Sequence, residues 1–74
     1  MRPDELQTSV GNAIRKKREG LKISQESFAD SIRMHRAYYS SIERGQRNLT
    51  LRVLAKVAKG LGITITDIFR TAGL

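Results

Sequence analysis

The run QESFADSIRMHRAYYSSIER, Gln25 to Arg44, constrains the fold of this chain more than any other stretch. Its apolar residues recur at three- and four-residue spacing twice, with a break between Ile32 and Arg36. That spacing predicts one short amphipathic helix from about Gln25 to Ile32 and a second from about Arg36 to Arg44, joined by a tight corner. Phe28, Ala29, Ile32, Met34, Tyr39 and Ile42 are spaced to face one core. His35, Arg36, Ala37, Ser40, Ser41 and Arg44 are left on the opposite face of the second helix. Helices this short do not stand alone in water, so the rest of the chain is read as their support.

The flanking segments supply three further helices. Val10, Ala13, Ile14 and the stem of Lys17 mark a first helix from about Thr8 to Glu19, capped by Thr8 or Ser9 and stopped by Gly20. Residues 1–7 are expected to form a flexible N-terminal arm that frays, although Pro3, Asp4 and Glu5 also suit an earlier helix start. Leu21 and Ile23 are expected to plug the gap before Ser24, which caps the next helix. Gly45 sits where a helix end wants a left-handed residue. Thr50 caps a helix over Leu51–Leu61, with Leu51, Leu54, Ala55, Ala58 and Leu61 as its apolar stripe and Val57 beside it. Gly60 is expected to be a weak point there, costing up to about 1 kcal/mol relative to alanine. Thr64 and Asp67 form a capping-box pattern before Ile65, Ile68 and Phe69, the apolar face of a last short helix. The expectation is all-α: five helices in a single domain over residues 8–74, with no strand and no repeat.

Charge narrows the function. The net charge is +7. Residues 1–32 carry six Lys/Arg against five Asp/Glu, whereas residues 33–59 carry seven basic residues against Glu43 alone. A basic face concentrated around the second helix of the pair implies a polyanion, with nucleic acid the first candidate and a merely solvated basic surface the bland alternative. There is no cysteine, which removes a disulfide framework and a cysteine-based zinc site and fits a cytoplasmic setting. The single histidine has no clustered carboxylates and no glycine-rich phosphate loop around it, so neither an enzyme nor a metal or other cofactor is expected. No apolar run approaches a membrane span or a signal-peptide core.

Short, hydrogen-bonding and cationic side chains on one helix face suit entry into the major groove of duplex DNA. Gln25, in the first turn of its helix, can offer its amide to a phosphate or be ordinary surface. His35 stands at the N-cap of the second helix, where histidine is a poor cap. It is either an exposed imidazole or a contact to phosphate or a base edge. Tyr39 lies on the core face, while Tyr38 is placed against the DNA backbone or the preceding helix.

These residues together resemble the helix-turn-helix domain of the Cro and lambda-type repressors, the xenobiotic-response-element regulators. The likeness is carried by Gly11, Ile14, Arg15 and Arg18, by Ser24-Gln25-Glu26 with Phe28-Ala29, by Tyr38, Ser40 and Ile42-Glu43-Arg44-Gly45, and by Leu51, Leu54, Ala58, Leu61 and Gly62. It spans about residues 8–70. Within that family, HRAYYSSIERGQRNLT is most similar to the controller proteins of restriction–modification systems. The resemblance implies a lambda-repressor-like fold and a buried ion pair between Arg18 and Glu43. It implies Arg36 as the base reader with Ala37 beside it, and Arg47 and Asn48 on the DNA backbone. Ser41 is added as a candidate base contact, and Ser40 and Arg44 as phosphate contacts. Three departures stand out: Arg33 and Lys22 where the family usually has glycine, and Ala37 where controllers often have threonine.

One domain reads too few base pairs for a unique site. A homodimer on a pseudo-palindromic operator is therefore expected, with Ile65, Ile68 and Phe69 as either its interface or simple core. No small-molecule ligand and no membrane partner is expected. The setting expected for such a chain is the bacterial cytoplasm, or that of a phage-infected cell, close to the nucleoid. A prophage-type repressor, an antitoxin of the same fold or an RNA-binding protein are the alternatives.

Overall fold

The structure, a computed structural model, describes residues 2–74. The chain forms α1 (Pro3–Gly20), α2 (Gln25–Ser31), α3 (Arg36–Glu43), α4 (Leu51–Leu61) and α5 (Ile65–Thr71), with no strand among the described residues. Thr8 and Ser9, read as caps of the first helix, lie inside α1, but the later caps act as read. Ser24 accepts from the Ser27 amide, Thr50 from the Val53 amide, and Thr64 and Asp67 complete a reciprocal capping box. Each satisfies amides that the first turn of a helix leaves without partners.

The N-terminal arm expected over 1–7 is helical from Pro3 onward; Met1 lies outside the described residues. Proline at the first helical position loses no hydrogen bond, and Asp4 and Glu5 complement the positive end of the helix. The extra turns also find partners. Gln7 Nε2 donates to Asn48 Oδ1 at 3.0 Å, tying the start of α1 to the segment after α3.

Ile14, Phe28, Tyr39, Ile42, Val57 and Ile68 are the largest fully buried side chains. The rings of Phe28 and Tyr39 meet at 5.1 Å between centroids, joining α2 to α3. Met34 packs against this core from the corner and is partly buried. The buried stripe of α4 is Leu54, Val57, Ala58 and Leu61, rotated from the one expected: Ala55 is exposed and Leu51 is 73% exposed. Leu21 is likewise exposed, and only Ile23 of that pair packs inward. Gly60 is not a defect. A Cβ there would lie 2.4 Å from Ile32 Cγ2 and 3.1 Å from the Phe28 ring, so its bare backbone is what lets α4 approach α2.

Helix ends define the corners. Gly45 and Gly62 have φ of 73°, as expected of glycines that close helices. Lys22 (φ 58°) and Arg33 (φ 55°) occupy the same left-handed region without being glycine. At the α2–α3 corner the Arg33 amide bonds the Asp30 carbonyl and the Met34 amide the Ala29 carbonyl. That is the double bond of a Schellman closure, built on an arginine. The turn is therefore of ordinary shape, held with local backbone strain.

Candidate nucleic-acid interface

The inner side of α3 is locked by Glu43. Arg18 Nε and Nη2 donate to its carboxylate at 2.7 and 3.0 Å, Gln25 Nε2 donates at 2.8 Å, and the Tyr39 hydroxyl donates as well. Arg18 Nη1 continues to the Ile23 carbonyl at 2.7 Å. One carboxylate thus joins α1, the start of α2 and the end of α3. The Arg18 and Glu43 side chains are 10% and 2% exposed, so the pair is buried, as the family resemblance implies. Burial alone would raise the Glu43 carboxyl. The hydrogen bonds from Arg18, Tyr39 and Gln25 outweigh it and hold the group below the ordinary carboxylate range. The same contacts raise Arg18, through its hydrogen bonds to Glu43 first, and burial followed by the Glu43 bond pushes the Tyr39 hydroxyl far up.

The outer side of α3 is open. His35, Arg36, Ala37, Ser40 and Arg44 line one shallow hollow of about 360 Å³. Arg36 and Ala37, in the first turn, are exposed. His35 does cap the helix: its Nδ1 accepts from the Ala37 amide at 3.2 Å. Accepting through Nδ1 leaves Nε2 as the ring's donor. Histidine ranks low as a cap on average, but here the imidazole sits where serine or aspartate oxygen would.

Arg44 Nη1 donates to Ser40 Oγ at 2.6 Å, and Arg44 Nε to Gln46 Oε1 at 3.2 Å. The exit after α3 closes through the Gly45 and Gln46 amides onto the Ile42 and Ser41 carbonyls. Gly45 is needed twice over, since its φ is positive and a Cβ would lie 2.7 Å from Thr8 Cα. Arg47 and Asn48 then stand exposed beside α3. The Arg47 guanidinium lies 4.9 Å from the centre of the half-buried Tyr38 ring.

Several expected contacts are not where the sequence put them. Ser41 is 5% exposed, donates to the Tyr38 carbonyl at 2.6 Å and accepts from Arg47 Nε at 2.9 Å. It therefore faces inward, away from the open side of Arg36 and Ala37. A serine beside Ile42 can turn inward because the helix carbonyl three residues back, which has a second lone pair, accepts its hydroxyl. Gln25 is half-buried and spends an amide hydrogen on Glu43, a structural duty its sequence position did not disclose. Ile68 is fully buried and belongs to the core, so it is no interface residue. Ile65 is partly buried against the same core. Phe69 is different. With Leu6, Leu49, Leu51, Leu54 and Leu74 it lines an apolar groove of about 390 Å³. Leu51, which the periodicity counts in the apolar stripe of α4, and Leu6, in the expected arm, line this groove, and only the packed structure shows both exposed.

Fold and surface together define a small all-α domain that clamps one short helix by its inner side and offers its outer side, flanked by Arg36 and Arg44, to solvent. The chain belongs to the helix-turn-helix family, whose profile matches residues 14–68. It is 45% identical over 67 residues to the control protein C.MunI of a Mycoplasma species, covering 89% of this chain and 90% of that one. Among solved structures, the clp gene regulator ClgR of C. glutamicum superposes with a TM-score of 0.89 at 28% identity, over 92% of this chain and 87% of that one. The restriction–modification controller protein C.Esp1396I superposes with a TM-score of 0.82 at 34% identity, over 90% and 88%. That protein was solved as a tetramer in complex with its natural 35 base-pair operator.

Proposed function

We propose that this chain is a sequence-specific, double-stranded-DNA-binding transcriptional regulator of the restriction–modification controller type. It binds a pseudo-palindromic operator as a homodimer, with α3 in the major groove. The observation that carries this reading is the two-sided character of α3. Its inner side is fixed to α1 and α2 through Glu43, and its outer side presents Arg36, Ala37, His35, Ser40 and Arg44 in one hollow. Arg36 makes the bidentate contact to guanine O6 and N7, discriminating by about 1–3 kcal/mol, and the Ala37 methyl meets a thymine methyl. Arg44, Arg47 and Asn48 take phosphates, with Tyr38, Ser40 and the His35 Nε2–H beside them. These contacts position the helix rather than read sequence.

The homodimer closes over the groove of Leu6, Leu49, Leu51, Phe69 and Leu74, where a second copy covers the exposed Leu51. Half-sites then lie about 10–10.5 bp apart, or a multiple of that. The reading is of a binding protein rather than an enzyme, acting on DNA in the cytoplasm; no helix among the described residues is long and apolar enough to cross a membrane. Fluorescence anisotropy with a labelled duplex tests it, using unlabelled duplex and single-stranded RNA as competitors. Duplex should displace the label far better; equal competition by RNA overturns the assignment. Sedimentation that shows only monomer at high concentration, or a dimer unchanged by Leu51→Glu, overturns the groove as interface.

A further inference from the structure

Arg47 has five N–H donors on a long, flexible stem, and such a side chain loses much freedom when it grips a phosphate. In this chain it is held before any partner arrives. Ser41, buried on α3, gives its only hydrogen to the Tyr38 carbonyl at 2.6 Å. That leaves its oxygen only lone pairs, and they accept from Arg47 Nε at 2.9 Å. The Tyr38 ring lies alongside, 4.9 Å from the centre of the guanidinium. Nε is the guanidinium nitrogen nearest the stem, so fixing it restrains the fork while leaving Nη1 and Nη2 of this exposed side chain to a partner. The neighbouring Ser40–Arg44 contact is similar in kind but exposed, where water competes with it.

We propose that Ser41 is a positioning residue: with Tyr38 it presets the guanidinium of Arg47 for a backbone phosphate of bound duplex DNA. This rests on the reading of Arg47 as a phosphate contact. Ser41 touches no DNA, and its effect passes wholly through Arg47. Removing the hydroxyl leaves the charge in place and returns its freedom. Presetting a rotamer-rich side chain is worth about 0.5–1.5 kcal/mol, so the loss should be roughly 2- to 13-fold in affinity. A phosphate contact carries no sequence information, so the loss should be equal on an operator duplex and on a random-sequence duplex.

The test is a double-mutant cycle at one stated salt concentration: wild type, Ser41→Ala, Arg47→Ala and the pair, each titrated with both duplexes, with thermal unfolding of each protein alongside. The expected result is that Ser41→Ala weakens binding by that factor on both duplexes while Arg47 is present. In the Arg47→Ala background it should change nothing. A purely structural role would lower the melting temperature and weaken binding equally in both backgrounds, which overturns the proposal. So does a Ser41→Ala protein that binds as wild type although Arg47→Ala binds weakly. If Arg47→Ala itself binds as wild type, the phosphate reading of Arg47 fails, and the positioning role fails with it.

Discussion

Glutamine in place of Glu43 should strongly destabilise the domain. The substitution keeps the shape and removes the charge. Arg18, with a 10% exposed side chain, is then left without its counter-charge in the core. The new amide also sets N–H donors against those of Arg18, Gln25 and Tyr39, all of which aim at position 43. Removing one partner of a buried pair costs about 3–5 kcal/mol. A chain of 74 residues has a total stability of roughly 4–11 kcal/mol, so between about a quarter and all of it is at stake. Tyr39→Phe removes one donor to the same carboxylate and should cost less, about 1.5–3 kcal/mol. Urea denaturation followed by far-ultraviolet circular dichroism measures both. With a slope of about 1–3 kcal/mol per molar urea, the Glu43→Gln midpoint should fall by at least one molar unit or vanish. A loss below about 1 kcal/mol, or Tyr39→Phe proving the costlier change, would refute the view of Glu43 as the anchor of α3.

Acid should act on the same group. Because the folded-state Glu43 carboxyl is held below its unfolded value of about 4.3, its contribution is complete above that pH and is lost as pH falls through the depressed folded value. In Tyr39→Phe, which lacks one of the donors that depress this carboxyl, this part of the acid sensitivity should be smaller, as a pH series of thermal melts would reveal. Arg33→Gly should stabilise the chain. Relief of about 1–2 kcal/mol at φ 55° exceeds the roughly 0.5–1 kcal/mol entropic penalty of glycine, and the melting temperature should rise by a few degrees. A lower melting temperature would mean the corner gains from the arginine. Gly60→Ala should destabilise, because overpacking against Ile32 and Phe28 costs about 1–3 kcal/mol against the helix-propensity gain of about 1 kcal/mol. A higher melting temperature would contradict the tight approach of α4 to α2.

Local chemistry made much of this legible in the chain itself. Ser24, Thr50 and the Thr64–Asp67 box announce helix starts because few other side chains can satisfy the free amides there. Arg33 at an expected glycine position pointed to the corner, and the corner has the left-handed backbone that position demands. What stayed hidden depends on contacts between distant segments. The early start of α1 looks like an arm until Asn48 is seen to hold Gln7. Ser41 is polar and follows another serine, so periodicity could not separate the inward one from the outward one. The α4 stripe was misplaced because alanine and leucine on the outer edge count as apolar in any pattern. Ile68 and Phe69 are adjacent and equally apolar, yet one fills the core and the other lines a groove.

Above all, α3 is expected to read duplex DNA through Arg36 in a two-fold assembly. The measurement that meets this expectation most directly is selection of bound sites from random duplex DNA by the wild-type protein and by Arg36→Ala. The wild type should yield an inverted repeat with half-sites about 10–10.5 bp apart or a multiple, each holding one strongly required guanine. Arg36→Ala should recover the same repeat with that guanine no longer selected. No symmetric consensus from the wild type, or an unchanged guanine preference in the variant, would contradict the account.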